Sequence, residues 1–73
     1  MYKRQAYDAA RLAYEGRPDD AGIVCNFGMA SLRMGKLKQA ERMFAMAKSL
    51  DPSDPVIDNC IELLRRLSIK DRL

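Results

Sequence analysis

Apolar and polar residues recur with a helical period along almost the whole chain, and turn residues cut the pattern into four stretches. From Ala6 to Glu15 the residues AYDAARLAYE are strong helix formers, with Ala6, Ala9, Ala10 and Ala13 on one small-residue face. Such a face lets another helix approach closely. Gly16 is a C-terminal stop, and Arg17-Pro18-Asp19-Asp20 is a turn that also supplies an N-cap. The second predicted helix runs from about Ala21 to Met34. Ile23, Val24, Phe27, Ala30 and Met34 cover one side, and Cys25, Met29 and Leu32 cover much of the other. A helix that is apolar nearly all round is surrounded by protein. Gly28 in its middle costs about 1 kcal/mol against Ala, which close packing of a neighbouring helix would offset.

Gly35-Lys36 leaves room only for a tight turn between antiparallel helices. The third predicted helix, about Leu37 to Leu50, turns Leu37, Ala40, Met43, Phe44, Ala47 and Leu50 inward. Lys38, Gln39, Glu41, Arg42, Lys48 and Ser49 form its solvated side. Pro52 stops it, Asp54 can cap the next helix, and Pro55 fits a first helical position. The fourth, about Pro55 to Leu67, carries Ile57, Cys60, Ile61, Leu64 and Leu67 on one side and Asp58, Glu62 and Arg65 on the opposite one. The tail SIKDRL is expected to fray.

A shift of 34 positions maps the chain onto itself. Ala6 falls on Ala40, Ala10 on Phe44, Ala13 on Ala47, Pro18 on Pro52, Asp20 on Asp54, Ile23 on Ile57 and Phe27 on Ile61. With this period, Gly28, Gly35, Ala40, Phe44, Ala47 and Pro52 resemble the signature of the tetratricopeptide repeat, a helix–turn–helix unit of this length. Val24 departs from it where an aromatic is usual, and Ser31 where a tyrosine is usual. The resemblance implies an all-α fold of antiparallel helix hairpins, stacked as a short α-solenoid of four helices. Residues 21–54 would form one full repeat, residues 6–20 the second helix of a preceding unit, and residues 55–73 a capping helix and tail. The alternative is a three-helix bundle or a helix-turn-helix reader of DNA.

Composition adds limits. At 73 residues there is room for one domain with a thin core, and 48% hydrophobic with 32% charged residues is an ordinary globular balance. The net charge of +3 is weak. Met1–Gln5, MYKRQ, resembles the in-frame translation of a transposon-end adapter from sequencing-library preparation, with a GTG codon read as Met. On that reading this leader is non-native and the natural chain is longer on its N-terminal side. Setting Lys3 and Arg4 aside takes the 13 basic residues to 11 against 10 acidic ones. No apolar run is long enough to cross a bilayer, and no signal peptide is visible, which favours the cytoplasm.

Catalysis has little to stand on. Histidine is absent, the carboxylates are scattered over caps and outer faces, and no Gly-rich phosphate loop occurs. Cys25 and Cys60 lack metal-ligand spacing, so no metal or cofactor is expected. They sit at unequal repeat positions, fifth and sixth, and are expected to remain unbridged.

Binding a protein or peptide is therefore the leading expectation. By resemblance, Gly22, Cys25, Asn26, Met29, Leu32 and Arg33, followed by Asn59, Leu63 and Arg66, would line a concave groove. The alternative for Cys25, Met29 and Leu32 is packing against the first helix or a further upstream repeat. The places where co-chaperone members of the family hold a carboxylate clamp carry Cys25 and Met29, so that clamp is not supported. A rival class is nucleic-acid binding through Arg65, Arg66, Lys70 and Arg72. Glu62 and Asp71 lie among them and no aromatic is interleaved, so nucleic acid is the weaker expectation. The alanine-lined first helix could also support self-association.

Overall fold

Turn chemistry decides where the helices begin and end. The computed structural model describes residues 2–72, with the side chains of residues 3–68. It contains α1 (Tyr2–Gly16), α2 (Ala21–Arg33), α3 (Leu37–Leu50) and α4 (Pro55–Arg72), with no strand among the described residues. After α1, Arg17 N–H donates to the Ala13 carbonyl at 2.9 Å and Asp20 N–H to the Arg17 carbonyl at 3.3 Å. After α3, Asp51 N–H donates to the Ala47 carbonyl at 2.9 Å and Asp54 N–H to the Asp51 carbonyl at 3.3 Å. Pro18 and Pro52 occupy the second position of the two turns, where a fixed φ is favourable. Asp20 Oδ1 then accepts from Ile23 N–H at 3.1 Å, and Asp54 Oδ1 from Val56 N–H at 2.9 Å, satisfying otherwise orphaned donors.

Between α2 and α3 the chain reverses differently. Lys36 N–H donates to the Ser31 carbonyl at 2.9 Å and Gly35 N–H to the Leu32 carbonyl at 3.0 Å. This closure needs a left-handed residue, and Gly35 supplies it with φ of 79°. Two helix ends differ from the sequence reading. α1 reaches back beyond Ala6 to Tyr2, through Lys3, Arg4 and Gln5, all good helix formers. α4 runs past Leu67 to Arg72, because SIKDR contains neither glycine nor proline to stop it.

Packing centres on α2, whose most extensive interface is with α3; α1 rests on α2, and α4 rests on α3 with a smaller contact to α2. The α2–α3 approach is close because Gly28 has no side chain. A Cβ there would lie 2.6 Å from Phe44 Cε1 and 3.2 Å from Met43 Cβ. Phe44 is 1% exposed, and Ala40, Ala47 and Val24 are fully buried. Val24 thus fills its place as a compact aliphatic where the repeat signature has an aromatic.

The first helix docks through a face other than its alanine face. Ala6, Ala9 and Ala13 are exposed and Ala10 is half-buried. The anchor is a tyrosine pair: Tyr7 and Tyr14 place their rings 5.5 Å and 5.2 Å from that of Phe27. Aromatic rings bury more area than alanines, so they decide the rotation of the helix. Gln39, expected in solvent, is half-buried and donates from Nε2 to Tyr7 Oη at 2.7 Å and to Ser31 Oγ at 2.8 Å. Ser31 is fully buried and donates its hydroxyl proton to the Phe27 carbonyl at 2.8 Å. The serine that departs from the repeat signature thereby joins α1, α2 and α3 in one polar network. Leu50 and Leu67, read as inward-facing, are 42% and 37% exposed, since each lies where no neighbouring helix covers its turn.

Two outcomes test this packing. Gly28→Ala should destabilise by about 1–3 kcal/mol through overpacking, although alanine is the better helix former. Phe44→Ala should cost about 3–5 kcal/mol and unfold much of the population. Urea denaturation measures both; a Gly28→Ala variant more stable than the parent would contradict the close approach.

Candidate peptide-binding face

α2 is covered by protein on every side but one. Gly22, Asn26 and Arg33 are exposed and Met29 is half-buried. These four recur at helical spacing and form a single open stripe. Cys25 and Leu32, also expected in a groove, are buried in the core at 6% and 8% exposure and present nothing to a ligand. A helix apolar all round gives no sequence signal for which face its neighbours leave open.

On α4, Asn59, Leu63 and Arg66 are exposed as expected. Val56 and Leu67 join them, with Val56 at 59% exposure. The sequence reading missed both, yet the 34-residue shift carries Gly22, Met29 and Arg33 of the α2 stripe onto Val56, Leu63 and Leu67. That repeat was the signal that could have found them.

The open stripe of α2 also forms one wall of a cavity of about 340 Å³ whose other wall is α1, with Ala6, Ala10, Asn26, Met29, Ala30 and Arg33 around it. α1 therefore contributes to this face, which sequence reasoning confined to α2 and α4. The walls are mixed: alanine methyl groups and the Met29 thioether together with the Asn26 amide and the Arg33 guanidinium. Such a surface can bury an apolar side chain and hydrogen-bond an oxygen acceptor beside it.

The cysteines do not contribute chemistry to it. Cys25 Sγ and Cys60 Sγ approach to 3.6 Å in the core as free thiols. Their unequal repeat positions bring them face to face between α2 and α4. Burial, then the hydrogen bond to Cys60, push the Cys25 thiol up to about 12, so at neutral pH it stays protonated and unreactive. Arg65 and Arg66, the core of the nucleic-acid alternative, both pair with Glu62, at 3.8 Å and 3.6 Å, and all three are exposed. The side chains of Lys70 and Arg72, the rest of that basic set, lie outside the described residues. Among the described residues, no group of side chains suited to a metal ion occurs and no helix is long and apolar enough to cross a membrane. Comparison with family models, curated proteins and solved structures found no match for the chain.

The buried thiol gives a signed pH dependence. A raised pKa means that its contribution to stability is fully present below the unfolded value of 9.0 and is lost as pH rises towards about 12. Between about pH 8 and about pH 11, the parent should therefore lose more stability than Cys25→Ala. Equal losses in denaturant titrations would contradict the burial of this thiol. Two thiols should titrate after unfolding without reductant, and one bridge per chain would contradict the free pair.

Proposed function

We propose that the chain is a protein-interaction module of the tetratricopeptide type, in which helix hairpins stack as a short solenoid and a partner's peptide binds along the open faces of α2 and α4. The observation that carries the reading is the repetition of one turn. Ala13, Arg17 and Asp20 make the same backbone hydrogen bonds, at the same lengths, as Ala47, Asp51 and Asp54, each 34 positions further on. A chain that repeats a helix–turn–helix in this way presents equivalent faces side by side, and extended ligand surfaces arise from such repetition. The register-equivalent stripes support this: Met29 on α2 and Val56, Leu63 and Leu67 on α4 offer apolar anchors, with Asn26, Arg33, Asn59 and Arg66 as polar points. On this reading the chain is an adaptor or scaffold piece rather than an enzyme, and needs no cofactor.

Selection of peptides from a displayed random library against the chain tests the proposal. Enriched peptides should lose about tenfold or more in affinity on Met29→Glu or Leu63→Glu, since each buries a charge against an apolar anchor. Far-UV circular dichroism should stay unchanged for Leu63→Glu, since Leu63 is exposed, and serves as the folding control for Met29→Glu, since Met29 is half-buried against the core. Absence of any enriched peptide would contradict the reading. So would binding to mixed-sequence oligonucleotides that falls steeply with salt, which would favour the basic C-terminal helix instead.

A further inference from the structure

The chain has two cysteines, and the fold brings them together. Cys25 on α2 and Cys60 on α4 are separated by 35 positions, yet their sulfurs stand 3.6 Å apart in the core. Both are free thiols, 6% and 9% exposed. A disulfide holds its sulfurs about 2.05 Å apart, so a closing movement of about 1.5 Å, within reach of side-chain rotation and a slight drift of α4, would join them. The pair stands outside the proposed peptide face, and that function makes no use of it.

The closed fold protects these thiols. Burial, the hydrogen bond to Cys60 and the Asp54 carboxylate each disfavour the Cys25 thiolate, and the thiolate is the form that reacts. An oxidant must therefore wait for an opening. Of the two helices that carry the cysteines, α4 is the less firmly held. Ile57, Cys60 and Leu64 are its buried residues among those described, against seven on α2. Its polar tie to α3, from Lys48 Nζ to Asp58 Oδ1 at 2.7 Å, is exposed and adds little. Elements with few buried contacts open locally while the rest stays folded. When α4 lifts, both thiols meet solvent together.

We propose that Cys25 and Cys60 form a thiol–disulfide exchange site, at which a low-molecular-weight disulfide admitted by the lifting of α4 converts the pair into a bridge between α2 and α4. In the lifted state one cysteine thiolate attacks a sulfur of the oxidant R–S–S–R. A mixed disulfide forms, the oxidant's S–S bond breaks, and one RS⁻ leaves. As α4 returns, the second cysteine sulfur attacks the cysteine sulfur of the mixed disulfide and expels the other RS⁻. The two cysteine protons end on the released thiolates. Two protein thiols and one R–S–S–R thus give one bridge and two RSH, with two electrons passing from the cysteines to the oxidant. Without an oxidant the pair remains two thiols. Once formed, the bridge restricts the unfolded chain and favours the folded one.

Glutathione buffers test it on the full chain. The reduced protein is equilibrated with mixtures of oxidised and reduced glutathione, in plain buffer and in denaturing urea. Acid quenching, alkylation and intact mass then give the bridged fraction. The equilibrium constant for bridging should be about tenfold or more larger in buffer than in urea, because the fold holds the sulfurs together. The bridged chain should melt about 5 °C or more above the reduced one. Bridging should also speed up with urea less steeply than global unfolding does, since only α4 has to lift. Cys60→Ala should take up at most one glutathione and gain no melting temperature, and the parent's own oxidised and reduced forms supply the comparison if that variant fails to fold. An equal or smaller constant in buffer than in urea would overturn the site. So would two glutathiones on one chain with no bridge, bridges only between chains, or a urea dependence equal to that of global unfolding.

Discussion

The close approach of α2 and α3 at Gly28 is the constraint on which the rest of the molecule depends. A helix centred on glycine gives up intrinsic stability, and only the Phe44 ring lying where a Cβ would stand makes the exchange worthwhile. Once that contact is made, α2 is fixed as the central element. Phe27, next to Gly28 and about 100° round the helix from it, becomes the platform for Tyr7 and Tyr14 of α1, and Cys25 becomes the contact for Cys60 of α4. Each remaining helix is held by α2, by α3, or by both. In a chain with so thin a core, few other contacts could take over that role.

Local chemistry was legible in the sequence, and orientation was not. Asp20, Asp54, Gly35 and the two turn prolines act within four residues of themselves, so their roles could be read without knowing the fold. Phe44, Ala40 and Ala47 were legible because α3 has one polar side. The docking face of α1 was not legible because it depends on two tyrosines meeting a phenylalanine that lies on another helix. Gln39 was unreadable for the same reason: its two acceptors come from α1 and α2. On the candidate face, exposed Asn26 and Arg33 and half-buried Met29 were found together with buried Cys25 and Leu32. Nothing in an all-apolar helix separates the two groups. The repeat period, applied to the stripe rather than to the signature residues alone, also reaches Val56 and Leu67.

The two ends of the molecule are unequal. At the α4 end, the side equivalent to the one by which α2 meets its neighbours is charged, with Asp58 held by Lys48 at 2.7 Å and Glu62 between two arginines. At the α1 end, alanines and Met29 border an open cavity. On the proposed repeat reading, stability is a sum of unit and interface terms, and an open apolar end is the place where a further element adds most.

The most direct test of this asymmetry joins a helix to each end and measures thermal unfolding. A copy of residues 20–36 carrying Gly28→Leu, fused in register ahead of Lys3, should raise the midpoint, because it buries the alanine-lined cavity. The same segment fused after Leu73 should leave the midpoint where it is, because the charged face of α4 offers it no apolar seat. Equal midpoints for both fusions and the parent would contradict the account.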